Sequence, residues 1–281
     1  MEGPRTSPSA DARVVEGLRL LRRESEALLA ELRALAPADW ERPSNCPPWD
    51  MRTLVAHVAT GAEFHRSSVE RGLAGIHTPA ASREERQALT AALAAAGAER
   101  ILAELAANTE RFEAFFAQLT PAQLETLAFH NHGLRPARWF VPHRLAEVAF
   151  HRWDVHTSLG REAPLAPETA AYLLPTLLEV NFPVLYTRGA RGRGRVRLVT
   201  TETPPRAWLA EADGEALRVH PVDPAHAPSA AAPVPTVTLA PAALGLLVYG
   251  RVSLAALVAA GRAQLSDAQA AAVLPTLLGN P

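Results

Sequence analysis

Apolar residues recur at three- and four-residue steps through most of the first half of the chain. From Ala12 to Leu35 the residues Leu18, Leu21, Leu28, Leu32 and Leu35 fall on one stripe, with Arg and Glu between them. That is the pattern of an amphipathic helix. A second helix is predicted from about Met51 to Arg71, with Leu54, Val55, Val58, Ala59 and Ala62 as its apolar face and Asp50 as its cap. A long Ala-rich pattern runs from Glu84 to Leu119 and is open to a break at Gly97. Thr120 and Pro121 begin a short turn or helix. A further helix runs from Trp139 or Val141 to Leu159, with Pro142 in its first turn. Four main helices and no convincing strand read as a four-helix bundle.

The pattern changes after this. "PETAAYLLPTLLEVNFPVLY" reads as a further helix and crossover, and "RGARGRGR" as a mobile Gly/Arg loop. "VRLVTTE", "AWLAEA", "EALRVHP" and "PTVTLA" read as short strands, the middle two joined by a hairpin at Asp213-Gly214. Two helical patterns close the chain. The predicted fold class is mainly α, an N-terminal four-helix bundle followed by a small α+β domain. The expected boundaries are 11–160 for the bundle, 161–189 for a connecting helix and linker, and 190–281 for the α+β domain. The first ten residues show no pattern and are expected to be disordered.

Composition excludes several function classes. The chain has 281 residues, 48% of them hydrophobic, and a net charge of -1. That charge gives no electrostatic footprint for nucleic acid or an anionic membrane. All 28 basic residues are Arg, because the sequence contains no Lys. Cys46 is the only cysteine, which excludes an intrachain disulfide and a Cys-based zinc cluster. No apolar run has the length of a membrane helix, and the N-terminus lacks a signal-peptide core. A cytoplasmic protein, monomer or homodimer, is expected.

The chemistry is concentrated in "HRLAEVAFHRWDVH", residues 143–156. His143, Glu147 and His151 recur every four residues and share one stripe of a helix. The outer two are about 12 Å apart along the axis, too far for both to hold one ion with ease. Glu147 and His151 have the one-turn spacing of a catalytic metal pair, and such a site needs a third ligand. His143 is one candidate. His57, in the apolar run "TLVAHVA", is another; a buried imidazole there needs either a metal or a hydrogen bond. Asp154 follows His151 by three residues and reads as its orienting carboxylate or as a surface salt bridge.

"PSNCPPWDMRTLVAHVA" and "EVAFHRWDV" together resemble the mycothiol-dependent maleylpyruvate isomerase family, a group of DinB-like metal-binding bundles. The resemblance covers most of the chain, since the α+β part is similar to that family's sterol-carrier-like C-terminal domain. It implies that His57, Glu147 and His151 bind one divalent metal, zinc first. It implies a low-molecular-weight thiol, mycothiol or a relative, as second cofactor. The reaction it implies is thiolate addition to an electrophilic double bond, rotation and loss of the thiol; without that loss the outcome is S-transfer. "LLVYGRV" is similar to the family's Gly-Arg stretch, which makes Arg251 the candidate to hold a substrate carboxylate. The tail after Arg251 differs from the family's close, which weakens maleylpyruvate itself as the substrate.

Other residues carry blander expectations. Trp49 and Trp153 read as packing, and Cys46 as a passive loop thiol. His130 and His132 in "FHNHG" are expected in a solvent-exposed loop or at the mouth of a pocket, and His65 at the bundle end. His143 is either near the pocket or on the helix surface. Two alternative functions stand beside the enzyme: a metal-binding or stress-response protein without turnover, and a hydrophobic-ligand carrier acting through the C-terminal domain.

Overall fold

A computed structural model describes residues 10–162, 165–189, 192–225 and 233–279. It divides into two compact units, residues 1–165 and 166–281. The expected disordered segment, residues 1–10, lies outside the described residues except for Ala10.

In the first unit the helices are α1 (Ala10–Arg33), α2 (Met51–Leu73), α3 (Arg83–Ala95), α4 (Ala98–Ala117), the short α5 (Pro121–Leu124) and α6 (Phe140–Ser158). Helix α1 packs on α4 and α6, and α2 packs on α4, α6 and α3. Their apolar stripes meet inside, where Leu21, Leu28, Leu54, Val58, Leu105, Phe112 and Val148 are buried. Burial of side chains this size stabilises by about 1.5–3 kcal/mol each before entropy is counted. Asp50 caps α2 by accepting the Thr53 amide at 2.8 Å, and Ser82 with Glu85 forms a capping box on α3. The long Ala-rich pattern does divide at Gly97, whose φ of 88° lies where side chains other than glycine's are strained.

One feature of this unit departs from the sequence reading. Leu127–Ala128 (β1) pairs antiparallel with Arg135–Pro136 (β2). Two-residue strands are too short to show an alternating pattern. The hairpin lies against α2 at Gly72, where a Cβ would stand 2.6 Å from the Leu127 carbonyl oxygen. Glycine permits that approach, and the hairpin fixes the loop that carries His130 and His132.

Helix α6 is buried around most of its circumference. Its polar residues His143, Arg144, His151 and Asp154 are buried with it. Buried polar groups need partners, and these partners form the site.

The second unit holds a five-stranded sheet in the order β5-β4-β3-β6-β7. Its strands are β3 (Arg193–Thr200), β4 (Ala207–Asp213), β5 (Leu217–Val222), β6 (Thr236–Leu239) and β7 (Ala263–Leu265). The β3–β6 pair is parallel and the other pairs are antiparallel. Asp213 accepts the Glu215 and Ala216 amides and so closes the predicted hairpin. Strand β7, three residues long, gave no signal in the sequence. The basic run is only partly a loop: Arg193 and Arg195 stand in β3, while residues 190–191 lie outside the described residues.

Helices α7 (Pro167–Thr176), α8 (Phe182–Arg188), α9 (Pro241–Val248), α10 (Leu254–Ala259) and α11 (Ala268–Leu278) accompany the sheet. A π-helical turn, Leu177–Asn181, joins α7 to α8. Leu174, Leu178, Phe182 and Tyr186 share one core with Val196, Leu198, Trp208 and Val237. The segment read as a connector thus packs as part of this unit. No helix among the described residues is long and apolar enough to cross a membrane.

Candidate metal centre

His57 stands on α2 and Glu147 on α6, and the packing of these helices brings them together. His57 Nε2 lies 3.2 Å from Glu147 Oε2. His151 Nε2, one turn further along α6, lies 3.6 Å from the same oxygen. One ligand atom from each of the three residues falls within 4.8 Å of the other two. Three donors from two helices therefore converge, which a stripe on a single helix does not achieve. Two imidazoles and a carboxylate fit a divalent transition metal, with room for a further ligand.

Asp154 fixes the geometry of His151. Its Oδ2 lies 2.8 Å from His151 Nδ1, and the residue is completely buried. With Nδ1 committed to Asp154, Nε2 is the nitrogen that faces Glu147 and would take a metal. The surface reading of Asp154 is thereby excluded. The Cys46 thiol donates to the same Oδ2 at 3.2 Å, a link that nothing in the sequence spacing reveals. Trp49 packs on His57 with ring centroids 4.8 Å apart.

The electrostatics describe a hole for positive charge. Burial disfavours the imidazolium of His151, but hydrogen bonds with Asp154, Cys46 and Glu147 outweigh it and raise the pKa well above the usual histidine value. Burial likewise opposes the charge on Glu147, and hydrogen bonds from His151 and His57 overcome it, holding the carboxyl well below its usual range. A proton on His151 supplies the positive charge in the absence of a metal.

His143 is not a surface residue. It is 5% exposed, its Nε2 lies 4.0 Å from Glu147 Oε1, and its ring stacks on Trp139 at 4.4 Å. His130 and His132 are half-buried, and their ring centroids lie 4.5 and 5.7 Å from that of His143. The solvent expected around that loop is replaced by the other rings. The ring of His65 lies 5.0 Å from that of His143. Arg144 was not singled out by the sequence. It is completely buried, it donates to the Val58 carbonyl at 2.7 Å, and burial lowers its pKa to about 10.

A cavity of about 450 Å³ opens beside the triad, lined by His57, Glu147, Phe64 and Phe129, with Arg83 and Arg86 from α3. That volume suits a small molecule. Arg251 belongs to the second unit; its amide bonds the Leu246 carbonyl after α9, and its guanidinium donates to the Tyr249 carbonyl at 3.0 Å.

Comparison with known proteins places this geometry in a family. Residues 21–156 match the mycothiol maleylpyruvate isomerase N-terminal domain. No curated protein matches the chain in sequence at a significant level. Among solved structures, that of the mycothiol-dependent maleylpyruvate isomerase is similar, with a TM-score of 0.63 and 18% identity over 90% of this chain and 92% of that one. A histidine-to-alanine mutant of that isomerase is similar to the same extent, with a TM-score of 0.62 at 18% identity. Residues 21–156 thus match the mycothiol maleylpyruvate isomerase N-terminal domain, and the fold of the chain is mainly α, like that of the solved isomerase.

Proposed function

We propose that this chain is an enzyme that isomerises an electrophilic small molecule, or transfers a thiol to it, with the help of a low-molecular-weight thiol of the mycothiol kind. The proposed metal ligands are His57, Glu147 and His151, and the proposed ion is divalent, zinc first. One observation carries the reading: the three donors converge, and two of them, His57 and Glu147, line a cavity of small-molecule size.

A bound divalent ion supplies a Lewis acid that favours the thiolate form of a thiol. A bound thiol supplies a nucleophile that adds reversibly to an electrophilic double bond. Cys46, the only cysteine, donates a hydrogen bond to Asp154 and is not among the residues that line the cavity, so the nucleophile is assigned to the bound thiol. Asp154 keeps the Nδ1 proton on His151 and so holds Nε2 as an acceptor. Trp49 packs on the His57 ring and fixes its orientation, and Phe64 gives the cavity wall an apolar face. Arg251 is proposed to hold a substrate carboxylate, the role that the family resemblance implies for it.

The test combines metal content with thiol binding on the full chain. About one tightly bound divalent ion per chain is expected, lost in His57→Ala and in His151→Ala while both variants stay folded. Calorimetric titration with mycothiol should saturate in the wild type and fail in His57→Ala. Arg251→Ala should retain metal and thiol and lower turnover by about 10²-fold. Metal without any thiol effect would instead give a metal-binding protein without turnover.

A further inference from the structure

A second group of imidazoles lies one helical turn along α6 from the triad. His65 of α2, His130 of the loop after β1 and His143 of α6 each offer a ring nitrogen, and the three atoms fall within 4.8 Å of one another. The ring centroids are 4.5 Å apart for His130 and His143, 5.0 Å for His65 and His143, and 5.6 Å for His65 and His130. Neither His65 Nδ1 nor His143 Nδ1 has a hydrogen-bond partner, although both atoms are buried. A buried nitrogen left without a partner is costly and calls for an explanation.

The chemistry of the rings supplies one. Burial is the main cause that keeps all three from charging; the neighbouring histidines and arginines add to it, and Glu147 opposes it. Neutral imidazole is the form that ligates a metal. The three residues come from three different elements, so their lone pairs approach one point from different directions. Trp139 stacks on His143 and holds its ring in place.

We propose that His65, His130 and His143 form a second metal site, for a divalent ion of the zinc, cobalt, nickel or copper class. Glu147 Oε2 faces His57 and His151, while Oε1 lies 4.0 Å from His143 Nε2. Imidazole donors select this class of metal over magnesium or calcium.

The two sites fill in order. The histidine group brings no negative charge of its own, and the fields of Arg144 and Arg135 reach it. The triad has Glu147 within it and Asp154 behind it. His130 Nδ1 also accepts the His132 amide at 3.1 Å, so a neutral His130 carries its proton on Nε2. Coordination through Nε2 gives up that amide bond. The triad therefore binds first and the histidine group second.

The experiment is a titration of the metal-free full chain with cobalt(II), followed by its visible absorbance, and with zinc(II) against a chromophoric chelator. Wild type should take up two equivalents, the second at least tenfold more weakly. The double variant His65→Gln, His130→Gln should keep the first equivalent and lose the second. His57→Ala should lose the tight event, so a failure of the triad reads separately from a failure of this site. A single equivalent in the wild type overturns the proposal, as does a second equivalent that survives in the double variant. If the double variant does not fold, ¹⁵N-histidine spectra of the wild type decide. The ring signals of His65, His130 and His143 should move between the first and second equivalents of zinc, and unmoved signals overturn the proposal.

Discussion

The Oδ2 atom of Asp154 lies 2.8 Å from His151 Nδ1, inside a residue with no exposed surface. That contact decides which nitrogen of His151 is free to accept. Asp154→Asn keeps the shape but presents an amide and an uncharged oxygen. Metal affinity should fall by about 10–100-fold, with the fold retained. Competition with a chelator measures it, and unchanged affinity would show that His151 needs no orienting partner.

Cys46 shares that oxygen, and Cys46, His151 and Asp154 also lie within reach of one point. A sulfur ligand and a hydrogen-bonding thiol make different predictions. Cys46→Ser keeps a donor to Asp154 and removes a soft ligand. Metal stoichiometry should stay at one tight ion per chain. Its loss in this variant would move the metal toward Cys46 and away from His57.

The pairing of Glu147 and His151 was legible because their spacing on α6 is local; the spacing left His143 and His57 open as a third partner, and the family resemblance pointed to His57, which the structure brings to Glu147. The helix break at Gly97 and the cap at Asp50 are local signals too. The histidine group was not legible. His65, His130 and His143 are distant in sequence, and the element that joins them, the β1–β2 hairpin, is two residues per strand. Cys46 reaches Asp154 only through tertiary packing, and Arg144 looks on paper like any helix arginine. Burial of a polar residue depends on what packs against it, and periodicity cannot supply that.

Burial, helped by neighbouring charges, holds His130 at about 2 and His143 at about 3, and holds His65 well below 6.5. In the unfolded chain each titrates near 6.5. Above that pH both states are neutral at these rings. Below it the unfolded metal-free chain takes up protons that the folded one refuses, so stability falls as pH falls. Each ring contributes about 1.4 kcal/mol per pH unit in that window. His151, with its raised pKa, partly offsets this near neutrality and is protonated in both states below about pH 6. The metal-free protein should lose about 3 kcal/mol between pH 7 and pH 5.5 in urea unfolding. Constant or rising stability on acidification would contradict the buried neutral rings.

Arg152 ties α6 to α1. It donates to Glu24 at 2.8 Å and to Glu31 at 2.9 Å, and His156 stands 2.9 Å from Glu31. Glu24 is 3% exposed, so its charge depends on close partners. Arg152→Ala should cost about 2–3 kcal/mol. Thermal unfolding at pH 7 reads the change. A shift equivalent to less than about 0.5 kcal/mol would place the pair among ordinary surface bridges.

Gly72→Ala tests the hairpin. Helix propensity favours alanine by about 1 kcal/mol. The contact with the Leu127 carbonyl opposes it, and backbone cannot swing aside as a side chain can. Net destabilisation of about 1–2 kcal/mol is expected, with changed signals for His130. A stabilised variant would mean that the hairpin gives way freely.

The walls of the cavity rest on different supports. His57 and Glu147 are anchored in helices packed on two or more neighbours, whereas α3 buries little beyond Thr90 and Ala94 and presents Arg83 and Arg86 to the opening. Changes along α3 therefore leave the donor atoms undisturbed while altering what the opening admits. A lineage built on this scaffold can exchange one small-molecule guest for another by drift in a single lightly held helix and keep the three donor atoms in place.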